Sequence, residues 1–172
     1  MEKQTIFLVG FMGSGKTTIG EQLAAHLQRD FIDLDEMIVK RTGRSIAEIF
    51  AKEGEAYFRA LEREMLTELK AHTGAVVALG GGAFVSEQNQ AIIAAQGWSI
   101  WLDCQLEIIL ARLGDDHTRP LYTSRSRAEL VALLESRRPA YAQAYIRLDV
   151  SALTVIEAVE KLIQLLAQAK LV

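Results

Sequence analysis

Eight consecutive residues constrain this chain more than any others: Gly10-Phe11-Met12-Gly13-Ser14-Gly15-Lys16-Thr17. They fill every fixed position of the phosphate-loop pattern G-x-x-x-x-G-K-[ST]. Their surroundings have the periodicities that the pattern needs. Thr5-Ile6-Phe7-Leu8-Val9 is a short apolar run rich in strand formers, too short for a helix. Beyond the loop, Ile19, Leu23 and Leu27 recur at helical spacing, with Glu21 and Gln22 on the other side. A strand, a glycine loop and a helix N-terminus together bind anions, because curled backbone presents N–H groups inward and the helix end adds partial positive charge. The expected ATP contacts are therefore Gly13, Ser14, Gly15, Lys16, Thr17 and Thr18. Lys16 would reach the β- and γ-phosphates, and the Thr17 hydroxyl would ligate Mg²⁺.

Composition narrows the partners. The 172 residues suit one compact domain, with half of them hydrophobic and about a quarter charged. A net charge of -3 gives no support for a nucleic-acid or membrane surface. The first strand lies close to the N-terminus and no apolar run approaches membrane-spanning length, so a cytoplasmic protein is expected. Cys104 is the only cysteine and reads as a small core residue, and His26, His72 and His117 lack metal-ligand spacing.

After the first helix, Phe31-Ile32-Asp33-Leu34-Asp35 reads as a second strand whose two carboxylates project to one side. The plain alternative is a polar strand end, with aspartate capping the next helix. A short helix over 36–42 is stopped by Gly43, and Ser45 with Glu48 forms a capping box that opens the next. Gly54 interrupts it before a longer helix over 55–72, on which Arg59 and Glu62 sit three apart; by spacing alone they make a solvated pair. Ala75-Val76-Val77-Ala78-Leu79 is a third strand, followed directly by Gly80-Gly81-Gly82. Successive glycines imply close approach of a packed neighbour or a ligand, and the end of an α/β strand favours a ligand. A helix capped by Ser86, a strand at 98–102, a helix over 105–113 and a polar stretch containing Arg119, Arg125 and Arg127 follow. That stretch, about 114–127, has the aperiodic character of a lid. The remaining elements are a helix over 128–136, a short strand at 146–150 and a helix over 154–168.

Five short strands alternating with helices predict an α/β fold: a five-stranded parallel sheet covered on both faces. Right-handed crossovers then bring the phosphate loop, Asp33, Asp35 and the triple glycine to one sheet edge, where ligands bind. Switch GTPases are excluded, since Asn89 is the only asparagine and no D-x-x-G occurs. Motor and transport ATPases usually end an apolar strand in Asp-Glu, whereas the strand at 75–79 ends in glycine. A small kinase with a closing lid remains.

At this point the chain resembles the shikimate kinases over nearly its whole length. The matching pieces are the phosphate loop, Asp33-x-Asp35, Phe58-Arg59-x-x-Glu62, Gly80-Gly81-Gly82, Arg119-Pro120-Leu121 and Arg138-Pro139-x-Tyr141. The resemblance implies a P-loop kinase that transfers a phosphoryl group from ATP, with Mg²⁺, to the 3-hydroxyl of shikimate. It implies that Asp35 binds ring hydroxyls and orients or deprotonates the attacking one, with Lys16 and Arg119 acting on the phosphates. Arg59 and Arg138 would hold the substrate carboxylate, with the following proline favouring Arg138 over Arg137. Gly80, Gly81 and Gly82 would let backbone approach the ring, Asp33 would hold Mg²⁺ with Thr17, Glu62 would fix Arg59, and Arg112 would stack on adenine. A monomer acting on ATP and shikimate alone is expected. The chain departs from the pattern at Gln143, where family members often carry glutamate, and near Ser151, beside the adenine. The rivals are a gluconate or nucleoside monophosphate kinase of similar build, and a regulatory nucleotide-binding protein without turnover.

Overall fold

The computed structural model describes residues 4–114 and 125–171. Its five strands are β1 (Thr5–Val9), β2 (Phe31–Asp33), β3 (Val76–Ala78), β4 (Gly97–Asp103) and β5 (Ile146–Asp149). All neighbours pair in parallel, in the order β2-β3-β1-β4-β5, as the alternation of strands and helices predicts. β1 is central and buried along its whole length, which requires cover on both faces. From β1 the chain moves outward to form the edge strand β2, returns to form β3 beside β1, and then crosses to the other side of β1 to form β4. The direction of winding therefore reverses at β1, and a crevice opens beyond the ends of β1 and β3.

Seven helices connect the strands among the described residues: α1 (Lys16–Leu27), α2 (Leu34–Thr42), α3 (Ile46–Glu68), α4 (Glu87–Ala94), α5 (Leu106–Leu113), α6 (Arg127–Tyr141) and α7 (Val155–Gln168). α1 packs against α7, and α3 against both α2 and α4. Their boundaries follow local chemistry. Gly13 and Gly15 take φ of 72° and 95°, which side chains resist, so the loop can curl into the N-terminus of α1. Ser45, Ser126 and Thr154 each make a complete capping box, at the starts of α3, α6 and α7. Gly54 leaves helical geometry inside α3, with φ 82°, where the sequence expects a break.

Two expectations change. β2 ends at Asp33, and Leu34 already begins α2. Asp33 is therefore the N-cap of α2 and Asp35 lies in its first turn, rather than both standing on one face of a strand. The helix expected to stop at Ser136 runs through Pro139 to Tyr141. Proline removes one backbone donor there, but burial of Tyr141 and pairing of Arg138 with Asp103 hold the last turn in place.

Candidate active site

The crevice is a cleft of about 860 Å³, within the range of small-molecule sites. The phosphate loop forms one wall. Lys16 is buried, and its Nζ donates to the carbonyls of Gly10 at 2.8 Å and Phe11 at 2.9 Å, which ties the lysine to the loop it serves. Gly13, Gly15, Thr17 and Thr18 line the same wall, and Ser14 lies buried behind it.

Thr17 and Asp33 meet directly, with Thr17 Oγ1 donating to Asp33 Oδ2 at 2.9 Å. The other oxygen of Asp33 accepts from the N–H groups of Asp35 at 2.9 Å and Glu36 at 3.2 Å. The capping geometry thus aims one carboxylate oxygen at the threonine that follows the loop lysine. A hydroxyl and one carboxylate are the hard oxygen donors that Mg²⁺ accepts beside nucleotide phosphates and water. No cluster of three or more His, Cys, Asp or Glu side chains able to hold a metal occurs among the described residues.

The triple glycine is the floor, and each of its residues meets a charged side chain. A methyl built on Gly80 would lie 2.9 Å from Asp35 Oδ1 and 3.3 Å from Glu62 Oε1. One on Gly81 would lie 3.3 Å from Arg137 Nη1, and one on Gly82 would collide with the guanidinium of Arg59. At Gly82 the Arg59 guanidinium occupies the space that a side chain would take.

Arg59 is held from two sides. Its Nη1 lies 3.0 Å from both oxygens of Glu62, and its Nη2 donates to Glu55 at 3.1 Å. Glu62 is fully buried, so the solvated-pair reading of this spacing does not hold. Burial pushes the Glu62 carboxyl up to about 7; the Arg59 guanidinium pulls it back and the Asp35 carboxylate adds to the rise. Arg59 itself sits above its ordinary value: burial opposes its charge, but Glu62 and Glu55 together outweigh burial.

The two arginines at the end of α6 part company. Arg137 points into the cleft, 7% exposed, with its guanidinium 5.7 Å from the centre of the Phe11 ring. Its Nη1 is buried and finds no hydrogen-bond partner among the described residues. Such an unsatisfied donor is costly unless a ligand completes it. Arg138, the expected carboxylate ligand, turns the other way. It pairs with Glu135 at 2.9 Å and with Asp103 at 3.4 Å, and lies over the Trp101 ring. Successive helical residues point about 100° apart, so only one of the two can face the cleft.

Arg112 lines the cleft at the mouth of the phosphate loop, with Nη1 3.7 Å from the buried Cys104 sulfur. Arg119 and most of the expected lid lie outside the described residues. The sequence reading missed an apolar wall of Val39, Ile46, Phe50 and Phe58 opposite the loop. Its only signal is that Val39 and Phe50 add apolar surface to helices whose cores are already served by Ile38 and Ile49.

A phosphate loop at a winding reversal, facing a cleft with fixed arginines, defines a P-loop phosphotransferase for a small anionic substrate. The particular family is equally clear. The shikimate kinase family model matches residues 12–167. A shikimate kinase of Cereibacter sphaeroides is 46% identical over 143 residues, spanning 83% of this chain and 72% of that one. Another, of Synechococcus elongatus, is 47% identical over 148 residues, spanning 86% and 77%. Among solved structures, the Acinetobacter baumannii shikimate kinase in complex with shikimate superposes with a TM-score of 0.92, at 36% identity and 98% and 96% coverage. The Aquifex aeolicus shikimate kinase gives 0.86, at 37% identity and 96% and 98% coverage. The chain belongs to the shikimate kinase family.

Proposed function

We infer that the protein transfers the γ-phosphoryl group of ATP to the 3-hydroxyl of shikimate, giving shikimate 3-phosphate and ADP. The observation that carries this reading is the glycine floor, on which Asp35, Arg137 and Arg59 converge at Gly80, Gly81 and Gly82. One end of that array offers a carboxylate to a hydroxyl, and the other offers two guanidinium groups to a carboxylate. Shikimate carries both functions on one small ring.

Each role then has a physical basis. Arg59 and Arg137 hold the substrate carboxylate through planar forks, with Arg59 pre-set by Glu62 and Glu55. Asp35 accepts hydrogen bonds from ring hydroxyls and orients or deprotonates the attacking one. Gly80, Gly81 and Gly82 bring backbone close to the ring. Gly13, Ser14, Gly15, Lys16, Thr17 and Thr18 cradle the ATP phosphates, and Arg112 stacks on adenine. Thr17 and Asp33 would hold Mg²⁺, which when bound would neutralise charge on the transferring phosphoryl group. Lys16 and Arg119 supply further positive charge, Arg119 from a lid over about 114–127 that excludes water from the transfer. The reading has one kinase domain over 1–172 acting as a cytoplasmic monomer on dissolved small molecules, without a nucleic-acid or membrane partner. No helix among the described residues is long and apolar enough to cross a membrane.

The test is ADP release from Mg-ATP in a coupled assay, with and without shikimate. Strong dependence on shikimate is expected. Release driven by gluconate or a nucleoside monophosphate instead, or ATP binding with no acceptor-driven release, overturns the reading.

A further inference from the structure

Three glycines in a row form a poor floor for a binding site. They have no side chains with which to brace themselves, and glycine has more backbone freedom to lose than any other residue. The turn must therefore be held from outside. On its downstream side Ala83 N–H bonds the Gly80 carbonyl at 3.0 Å, Asn89 Nδ2 donates to Ala83 O at 2.8 Å and Gln90 Nε2 to Phe84 O at 2.8 Å. None of these reaches the peptide between Gly81 and Gly82, which lies between the two cleft arginines.

That peptide is held by Tyr141. Its hydroxyl donates to the Gly81 carbonyl across the molecule from α6. The ring is fully buried and packs against Trp101 at 5.9 Å between centroids. Because a trans peptide is planar, fixing the Gly81 carbonyl also fixes the direction of the Gly82 N–H on its opposite side. Tyr141 stands one helical turn after Arg137, so the two share a face of α6. The same helix face thus supplies the arginine beside Gly81 and the clamp on the peptide that follows it.

We propose that Tyr141 is a positioning residue for substrate: it locks the α6 helix to the glycine floor, so that Arg137, the Gly81–Gly82 peptide and Arg59 keep the spacing an anionic ring requires. The inference rests on shikimate being the substrate. Burial, opposed by the Arg137 and Arg59 charges, pushes the phenol up to about 12, so it stays a donor throughout the working pH range. The clamp acts on one substrate more than on the other. Although Gly81 also borders the backbone of Met12 and Gly10, that loop has its own brace in the Lys16 bonds to Gly10 and Phe11.

Tyr141→Phe removes the hydroxyl and keeps the ring. Steady-state kinetics should show KM for shikimate raised about tenfold, the scale of one buried hydrogen bond, with KM for ATP unchanged and kcat within about threefold. In an Arg137→Lys background the same change should raise KM for shikimate by less than about threefold, because the spacing it guards is already lost. Trp101→Phe, which loosens the backing of the phenol without touching it, should give a smaller rise of the same selective kind. An unchanged KM for shikimate in Tyr141→Phe, equal rises for both substrates in either variant, or full multiplicity in the Arg137→Lys background overturns the positioning role. A parent enzyme that releases no ADP with shikimate instead overturns the proposed function, and this inference with it.

Discussion

Nη1 of Arg59 lies 3.0 Å from both carboxylate oxygens of Glu62, whose side chain has no solvent exposure. Both partners shift upward, so the pairing governs the arginine while burial governs the glutamate. For Glu62 the folded value of about 7 stands above an ordinary value of 4.5. The folded state therefore binds this proton more tightly than the unfolded chain. The resulting stabilisation is complete below about pH 4.5 and is lost as pH rises through about 7. Its full size is on the order of 3 kcal/mol. Glu62→Gln cannot titrate, so its melting temperature should fall less than the parent's between pH 5 and pH 8. The difference should be several degrees, read by differential scanning fluorimetry. Parallel curves for the two proteins would place the ionisation of Glu62 outside that interval.

Arg137 and Arg138 are neighbours in sequence with separate structural tasks. Arg137→Ala should raise KM for shikimate at least tenfold, since it removes a charged donor aimed into the cleft, and should leave the melting temperature nearly unchanged. Arg138→Ala should do the reverse. It deprives the buried Asp103 of one of two guanidinium partners and frees the end of α6. Thermal unfolding should show a loss of a few degrees, with a much smaller change in KM. A large KM effect confined to Arg138→Ala would return the carboxylate to that residue.

Most of this architecture is legible in the sequence because it depends on local signals. The loop glycines, the apolar strands and the serine and threonine caps each specify their own geometry. What sequence does not carry is direction. Asp33 and Asp35 reach the same cleft, but through a helix cap and its first turn rather than through strand alternation. The choice between Arg137 and Arg138 depends on the continuation of α6 past Pro139, and that in turn on tertiary contacts with Gly81 and Asp103. Glu62 looks like any solvated glutamate three residues from an arginine until Gly80 packs against it. Burial of a charge is a property of the assembled fold, and spacing along one helix does not report it.

Gly82 offers a test of the floor that leaves the arginines themselves intact. Its φ of -100° is accessible to alanine, so the cost of a methyl there is contact alone. The methyl would meet the guanidinium of Arg59, which is the far end of a flexible side chain and able to move aside. Gly82→Ala should therefore fold with little loss of melting temperature while KM for shikimate rises about tenfold or more through the displaced arginine. Isothermal titration with shikimate should show the same loss of affinity. Normal affinity in a well-folded Gly82→Ala protein would mean that Arg59 need not occupy its present position to bind the substrate.

Asp35 separates chemistry from binding. Its carboxylate lies against Gly80 beside Glu62, whereas the phosphate wall is built by Lys16, Thr17 and the Asp33 cap. Asp35→Asn preserves size and hydrogen-bonding capacity but removes the basic oxygen. It should lower kcat by at least a hundredfold, the scale of a lost general base, while ATP affinity measured by titration stays within about twofold. The Asp33 cap on the backbone N–H of residue 35 does not depend on the side chain there, so α2 should begin as before. If Asp35→Asn weakened ATP binding as much as turnover, the carboxylate would be maintaining the start of α2 and the neighbouring Thr17–Asp33 pair, and the proton of the attacking hydroxyl would have to leave by another route.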